Sequence, residues 1–112
     1  MVVFKELEGS DLGVYHDKNY RLVECFNGHI VFSYAQKGEA MSAHFAADKK
    51  GIKNIKDAIN AFCEWIFNLY KCKYIFAVID RSLKSVVNLV KKLNFKYLTE
   101  NSNHVVYVRG QA

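Results

Sequence analysis

The chain has no proline, no internal repeat and no low-complexity or linker-like stretch at which its 112 residues would divide. One domain over residues 1–112 is therefore expected. Cysteine is scarce as well. Cys25, Cys63 and Cys72 are odd in number, lie in apolar surroundings and lack CxxC spacing, which argues against a disulfide framework or a zinc site. Free, mostly buried thiols in a reducing compartment fit that usage, and no metal is expected. No apolar run reaches membrane-spanning length, and Met1-Val-Val-Phe-Lys-Glu-Leu7 has neither the basic head nor the long apolar core of a signal peptide. The expectation is a soluble intracellular protein with no membrane contact.

What is present is ample material for a core: 51% of residues are hydrophobic and 14% aromatic, so disordered and fibrous classes are excluded. The net charge of +5 favours anionic partners, among them nucleic acid, phosphorylated cofactors and acidic proteins. The lysines are scattered over two helical stretches and a turn, and no aromatic-basic RNA motif accompanies them. That pattern ranks nucleic acid last, behind a phosphorylated ligand or a protein partner.

Read in order, Val2 to Leu7 predicts a first strand, and Glu8 to Gly13 a polar connection. Tyr20–Phe26 and His29–Tyr34 flank Asn27-Gly28, the dipeptide best suited to a type I′ hairpin turn. A second turn at Gln36-Lys-Gly38 leads to a strand over Glu39–Ala47, in which Met41, Ala43 and Phe45 alternate with Ser42 and His44. A helix is predicted from Asn54 to about Tyr70, with Asn54 as N-cap, Asp57 completing a capping-box-like pair, and Ile55, Ile59, Phe62, Ile66 and Leu69 on one face. Lys73–Ile79 is a nearly continuous apolar run, as expected of a strand buried on both faces and parallel to its predecessor. Asp80 or Ser82 would cap a second helix whose stripe is Leu83, Val86, Val87, Val90 and Leu93, ending at Asn94 in the left-handed conformation. Phe95–Thr99 and His104–Arg109 close the chain as a hairpin. The order β-β-β-β-α-β-α-β-β predicts a mixed α/β fold, a mostly antiparallel sheet of six to seven strands with two main helices.

The entrance to the first helix is unusual in charge. Lys49, Lys50, Lys53 and Lys56 crowd the positive end of the helix dipole, where each cation costs about 0.3–1 kcal/mol at an exposed site. Free backbone amides, the dipole and Gly51 make a phosphate site, to which the lysines add attraction from solution. The alternative is a surface turn with solvated lysines.

The element order and two local motifs resemble the later part of the GNAT acyltransferase fold, over roughly Tyr20 to Arg109. In that family the turn after the fourth strand carries Q/R-x-x-G-x-G/A, whose amides hold the pyrophosphate of acetyl-coenzyme A. The matching stretch is Asp48-Lys-Lys-Gly51-Ile-Lys53, in which Gly51 fits and Asp48 and Lys53 depart. The resemblance therefore implies cofactor binding through Lys49, Lys50, Gly51, Ile52, Lys53 and Asn54. A later family signature, N-x-x-A-x-x-x-Y-x-x-x-G-F, is similar to the stretch from Leu83 through Val86 and Val90 to Asn94-Phe95. Leu83 replaces the asparagine that touches the pantetheine arm, and Val90 the tyrosine that protonates the leaving thiolate. Short members of this kind, encoded by tailed bacteriophages, resemble head-assembly or internal virion components. The alternative implied is thus a catalytically inactive phage protein acting in virion assembly or host-protein interaction, found in the virion.

Acyl transfer to an amine needs a base, an oxyanion donor and a cofactor cradle. His44 is the leading base candidate, since imidazole titrates near neutrality, although a lone strand histidine is more often a packing residue. Glu39 and Ser42 stand behind it. Tyr97, or Tyr107, is the candidate acid in place of the missing tyrosine, against the common role of strand tyrosines in packing. Cys63 reads as core, and Trp65 as packing or a partner contact.

Overall fold

The computed structural model describes residues 1–111. Seven strands form one sheet: β1 (Lys5–Leu7), β2 (Arg21–Cys25), β3 (Ile30–Lys37), β4 (Ala40–Ala47), β5 (Tyr74–Asp80), β6 (Lys96–Glu100) and β7 (His104–Gly110). Their spatial order is β1-β2-β3-β4-β5-β7-β6, and the β4–β5 pair alone is parallel. Helices α1 (Ile55–Leu69) and α2 (Lys84–Lys91) follow β4 and β5. This is the mixed, mostly antiparallel architecture that the apolar periodicities predict.

Both helices cover the same face of the sheet, here the front. Ile55, Ala58, Ile59, Phe62, Cys63 and Ile66 of α1 and Val90 of α2 share one cluster with Phe32, Tyr34, Met41, Ala43, Ile75 and Ile79. Phe62 stacks on Phe32 with centroids 4.2 Å apart, and Phe4 closes the cluster by stacking on Trp65 at 4.9 Å. Burying a side chain of this size contributes about 1.5–3 kcal/mol. All three cysteines are buried, and burial pushes the Cys63 thiol up to about 12 and Cys25 to about 11. Among the described residues no helix lies on the back of the sheet. Ser33 Oγ donates to the Tyr15 carbonyl, and Tyr20 Oη donates to Ser42 Oγ at 3.2 Å. The connection Glu8–Tyr20 thus lies over β3 and β4, where Val31, Ser33 and Ala35 are buried.

Several local expectations need correction. β5 is not buried on both faces: Phe76 and Val78, on the face away from the helices, are half-exposed. β1 shortens to three residues. Asn54 makes no side-chain cap: the chain enters α1 through a 3₁₀ turn, Ile52–Asn54, drawn tight by the Ile52 N–H bond to the Asp48 carbonyl. Neither Asp80 nor Ser82 caps α2. They bond each other instead, and Leu83 occupies the cap position without a side-chain bond. Leu69 and Leu83 are exposed, each at the end of its helix. The turn residues behave as expected. Asn27 (φ 57°) and Gly28 (φ 84°) are left-handed, and Asn94 (φ 66°) ends α2 with the Phe95 N–H reaching the Val90 carbonyl.

Candidate active site

The parallel pairing of β4 with β5 runs only from Ala40↔Tyr74 to Ala43↔Ala77. Beyond it, β4 stays paired with β3 through Ala47, and β5 with β7 through Asp80. The sheet therefore splits into two intact halves that part toward the C-terminal ends of the parallel strands. The Asp48 N–H donates to the His29 carbonyl at 3.1 Å. Since backbone groups alternate along a strand, those of Ala46 and His44 also turn toward β3, while those of Phe45 and Ala47 turn into the split.

The split forms a cleft of about 370 Å³ bounded by Gly13–Tyr15, Ala43–Phe45, Ala77–Asp80, Leu83, Val86 and His104. Its front and floor are apolar, and beneath them lies a hollow of about 30 Å³ among Phe45, Phe62, Ala77, Val90 and Phe95. Its polar side chains gather at the back. Strand alternation puts Ile75, Ile79, Val105 and Tyr107 in the core and turns Asp80 and His104, directly opposed in register, to the other face. His44 turns to that face too, against the rings of Tyr15 (4.9 Å) and Tyr20 (5.6 Å). Burial, aided by the His104 charge, pulls the His44 pKa below the usual imidazole range. His44 is thus a neutral imidazole at pH 7 on the cleft wall.

Gly51 turn geometry departs from that of an open cradle. Asp48 Oδ1 accepts the N–H groups of Lys50 (3.0 Å) and Gly51 (2.9 Å), and Oδ2 lies 2.6 Å from His29 Nδ1. The His29 bond and then the Gly51 amide hold the Asp48 carboxyl below its ordinary range. Two amides expected to be free are therefore occupied by the protein's own carboxylate. Gly51 is required for closeness rather than flexibility: its φ is −71°, and a Cβ there would meet the His29 carbonyl oxygen at 2.2 Å. Lys49, Lys50, Ile52 and Lys53 are exposed around this turn, at the same end of the sheet as the cleft mouth. The Asn54 N–H is taken by the Gly51 carbonyl at 2.9 Å.

Of the remaining candidates, Tyr97 stands on the edge strand β6, two strands from the cleft, with its hydroxyl on Glu100 at 3.0 Å. That bond raises its pKa. Tyr107 is buried in the core. Ser42 is buried with its hydroxyl on Tyr20, and exposed Glu39 pairs with Lys73 at 3.3 Å. Val90 is 1% exposed and faces the core. The sequence reading missed Tyr15, Asp80 and His104 as cleft residues. A strand-ending aspartate before a helix was a usable signal for Asp80, whereas His104 reaches the cleft only through the β5–β7 register. Among the described residues no group of three or more His, Cys, Asp and Glu is placed to hold a metal, and no helix is long and apolar enough to cross a membrane.

No family model and no curated protein matches this sequence. Solved structures do. An acetyltransferase from Bacillus subtilis in complex with CoA is similar over 100% of both chains, with a TM-score of 0.75 and 13% identity. Campylobacter jejuni N-acetyltransferase PseH in complex with acetyl coenzyme A is similar over 86% of this chain and 71% of that one, with a TM-score of 0.74 and 13% identity. The GNAT domain of S. lividans PAT is similar over 87% of this chain, at TM-score 0.70 and 8% identity, and this chain spans 64% of it, less than two thirds. With a sheet split between its parallel strands and these likenesses in backbone, the chain has the fold of the GNAT acetyltransferases.

Proposed function

We propose that the protein binds an acyl-coenzyme A in the cleft between β4 and β5 and transfers the acyl group to an amine. The observation that carries this reading is the split itself, which leaves the Phe45 and Ala47 backbone groups unpaired by β5, with Phe45 on the wall of a cleft whose front and floor are apolar. An amide-bearing pantetheine arm can pair with such an edge as an added strand does. Bound there, acetyl-coenzyme A would supply the activated thioester. The residues present fit its arm and, through Lys49, Lys50 and Lys53, its charge. They do not offer the amides of Lys50 and Gly51, which Asp48 already holds.

In this reading His44 takes the proton released as the amine nitrogen bonds to the acyl carbon. Its neutral state at pH 7 suits that task. Transfer would exchange the C–S bond of the thioester for the new C–N bond, with the proton for the departing sulfur drawn from solvent, since buried Val90 has none to give. The chain provides positioning and a base but no side-chain acid at the tyrosine position.

Isothermal titration with acetyl-coenzyme A and with coenzyme A tests the binding step. Saturable heat with mutual competition is expected, and no heat with either would overturn the reading. Where binding holds, thiol release with amines should fall on the acid side of the ordinary imidazole pKa, about 6.5. The same limb should vanish in His44→Gln. A second reading is favoured by Val90 and exposed Leu83 at the signature positions: a silent GNAT-like module acting through protein contacts, which would bind coenzyme A without releasing thiol to any amine.

A further inference from the structure

We propose that the hollow beneath the cleft receives the tail of the acyl group, so that the preferred donor carries a short unbranched alkyl chain longer than acetyl, of propionyl or butyryl size. This deepens the acyl-transfer reading and rests on it for the placement of the thioester. The last rung of the parallel pair joins β4 to β5 through Ala43 and Ala77, and both side chains point to the front, under the helices. Two methyl groups are little to fill the space that opens as the strands part. With Phe62 and Cys63 of α1 and Val90 of α2 above them, a void of about 30 Å³ is left. Close-packed interiors hold few such voids.

Its place gives the void a use. The hollow and the cleft share Ala43, His44, Phe45 and Ala77, so the two adjoin at the apex of the split. A pantetheine arm laid along β4, with its charged end among Lys49, Lys50 and Lys53 at the mouth, brings its thioester to that inner end. The acyl tail then has the hollow before it. No charge lines the space, since burial keeps the Cys63 thiol protonated and His44 neutral. An apolar void without polar partners stays dry, so an alkyl tail enters it with no bound water to displace. About 10–15 Å³ of such space holds one water-sized group, and about 30 Å³ therefore takes about two carbons. A tail ending in a carboxylate would be buried there without a partner.

The test is titration calorimetry of the full chain with free coenzyme A and with its acetyl, propionyl, butyryl, hexanoyl and succinyl thioesters. Affinity should rise about fourfold for each carbon added from acetyl to butyryl, the worth of one buried methylene, and fall again at hexanoyl. Succinyl, as long as butyryl but ended by a carboxylate, should bind no more tightly than acetyl. In NMR spectra of the butyryl complex, the acyl methyl should show Overhauser contacts to the Val90 methyls. Val90→Leu narrows the hollow and should bring propionyl and butyryl down to the acetyl level, while free coenzyme A binds as before. If that variant does not fold, the native series and the Val90 contacts still decide. Affinities that stay flat or fall from acetyl to butyryl, or a succinyl thioester that matches butyryl, overturn the inference and leave coenzyme A binding in place. Binding of none of these, free coenzyme A included, overturns the acyl-transfer reading and this inference with it.

Discussion

Asp48 and Asp80 stand at the same place in two consecutive strand–turn–helix units, one just after β4 and the other at the end of β5. Each turns Oδ1 back onto the backbone of its own turn, Asp48 to Lys50 and Gly51 and Asp80 to Ser82. They differ in the other oxygen. Asp48 Oδ2 is closed by His29, whereas Asp80 Oδ2 takes no hydrogen bond among the described residues. An ionised carboxylate offers about four acceptor sites, so a turn rarely exhausts it. The fate of the second oxygen makes one strand end a structural joint and leaves the other an exposed carboxylate held only by its own turn. The joint is the end that sequence pattern nominates for phosphate.

The largest effect should come from testing the joint by volume. Gly51 lies three residues after Asp48, and an added Cβ would meet the His29 carbonyl at 2.2 Å and Ile30 Cγ1 at 2.8 Å. The obstacle is backbone, so Gly51→Ala should cost about 3 kcal/mol or more, the upper end of overpacking. Leu83 lies three residues after Asp80 and is 49% exposed. Leu83→Ala should cost within about 1 kcal/mol. Urea unfolding of the two variants separates them, and equal losses would break the distinction between a packed joint and an open rim.

Removing the carboxylates themselves ranks next. Asp48→Ala deletes three contacts at once: the Lys50 and Gly51 amides and His29. Asp80→Ala deletes only the two to Ser82. Asp48→Ala should lower Tm by about 5 °C and Asp80→Ala by about 2 °C, within the scale of lost caps and turns in a domain of this size. A reversed order in thermal melts would mean that the His29 contact contributes nothing. The same Asp48→Ala protein frees two amides beside Lys49, Lys50 and Lys53. If an anion uses this turn, its affinity for coenzyme A should rise about threefold or more in titration calorimetry, since a competing charge is removed.

Much of this frame was legible in the sequence, because periodicity and turn chemistry are local. Asn27-Gly28, Asn94 and the Ile55–Ile66 stripe each state their conformation within a few residues. The site was legible only in part. His44 was singled out by residue type, yet its surroundings are supplied by Tyr15 and Tyr20, from a connection with no periodicity to read. The Gly51 turn was legible only in part. Its lysines and glycine are the ingredients of an anion site, and the carboxylate that takes two of its amides is local, Asp48 two and three residues before them, whereas the contact that fixes this carboxylate comes from His29, 19 residues earlier and visible only once β3 pairs with β4. His104 reaches the cleft by the same kind of long-range register.

The smallest effect is the sharpest test, because it moves protons and little else. In both aspartates the folded carboxyl lies below its ordinary value, chiefly through His29 for Asp48 and through the Ser82 hydroxyl for Asp80. A carboxyl depressed in the fold stabilises above the unfolded pKa, about 3.9, and that contribution disappears as pH falls through the folded value. His29→Gln should therefore raise the Asp48 pKa toward the ordinary value and leave Asp80 unmoved, and Ser82→Ala should do the converse. Carbon-detected NMR titration of the side-chain carboxyls resolves the two. The stability lost in each variant should be present at pH 7 and should close as pH falls below the carboxylate range. If one substitution shifts both carboxyls, the two strand ends are coupled across the cleft, and the free oxygen of Asp80 is not independent of the joint around Gly51.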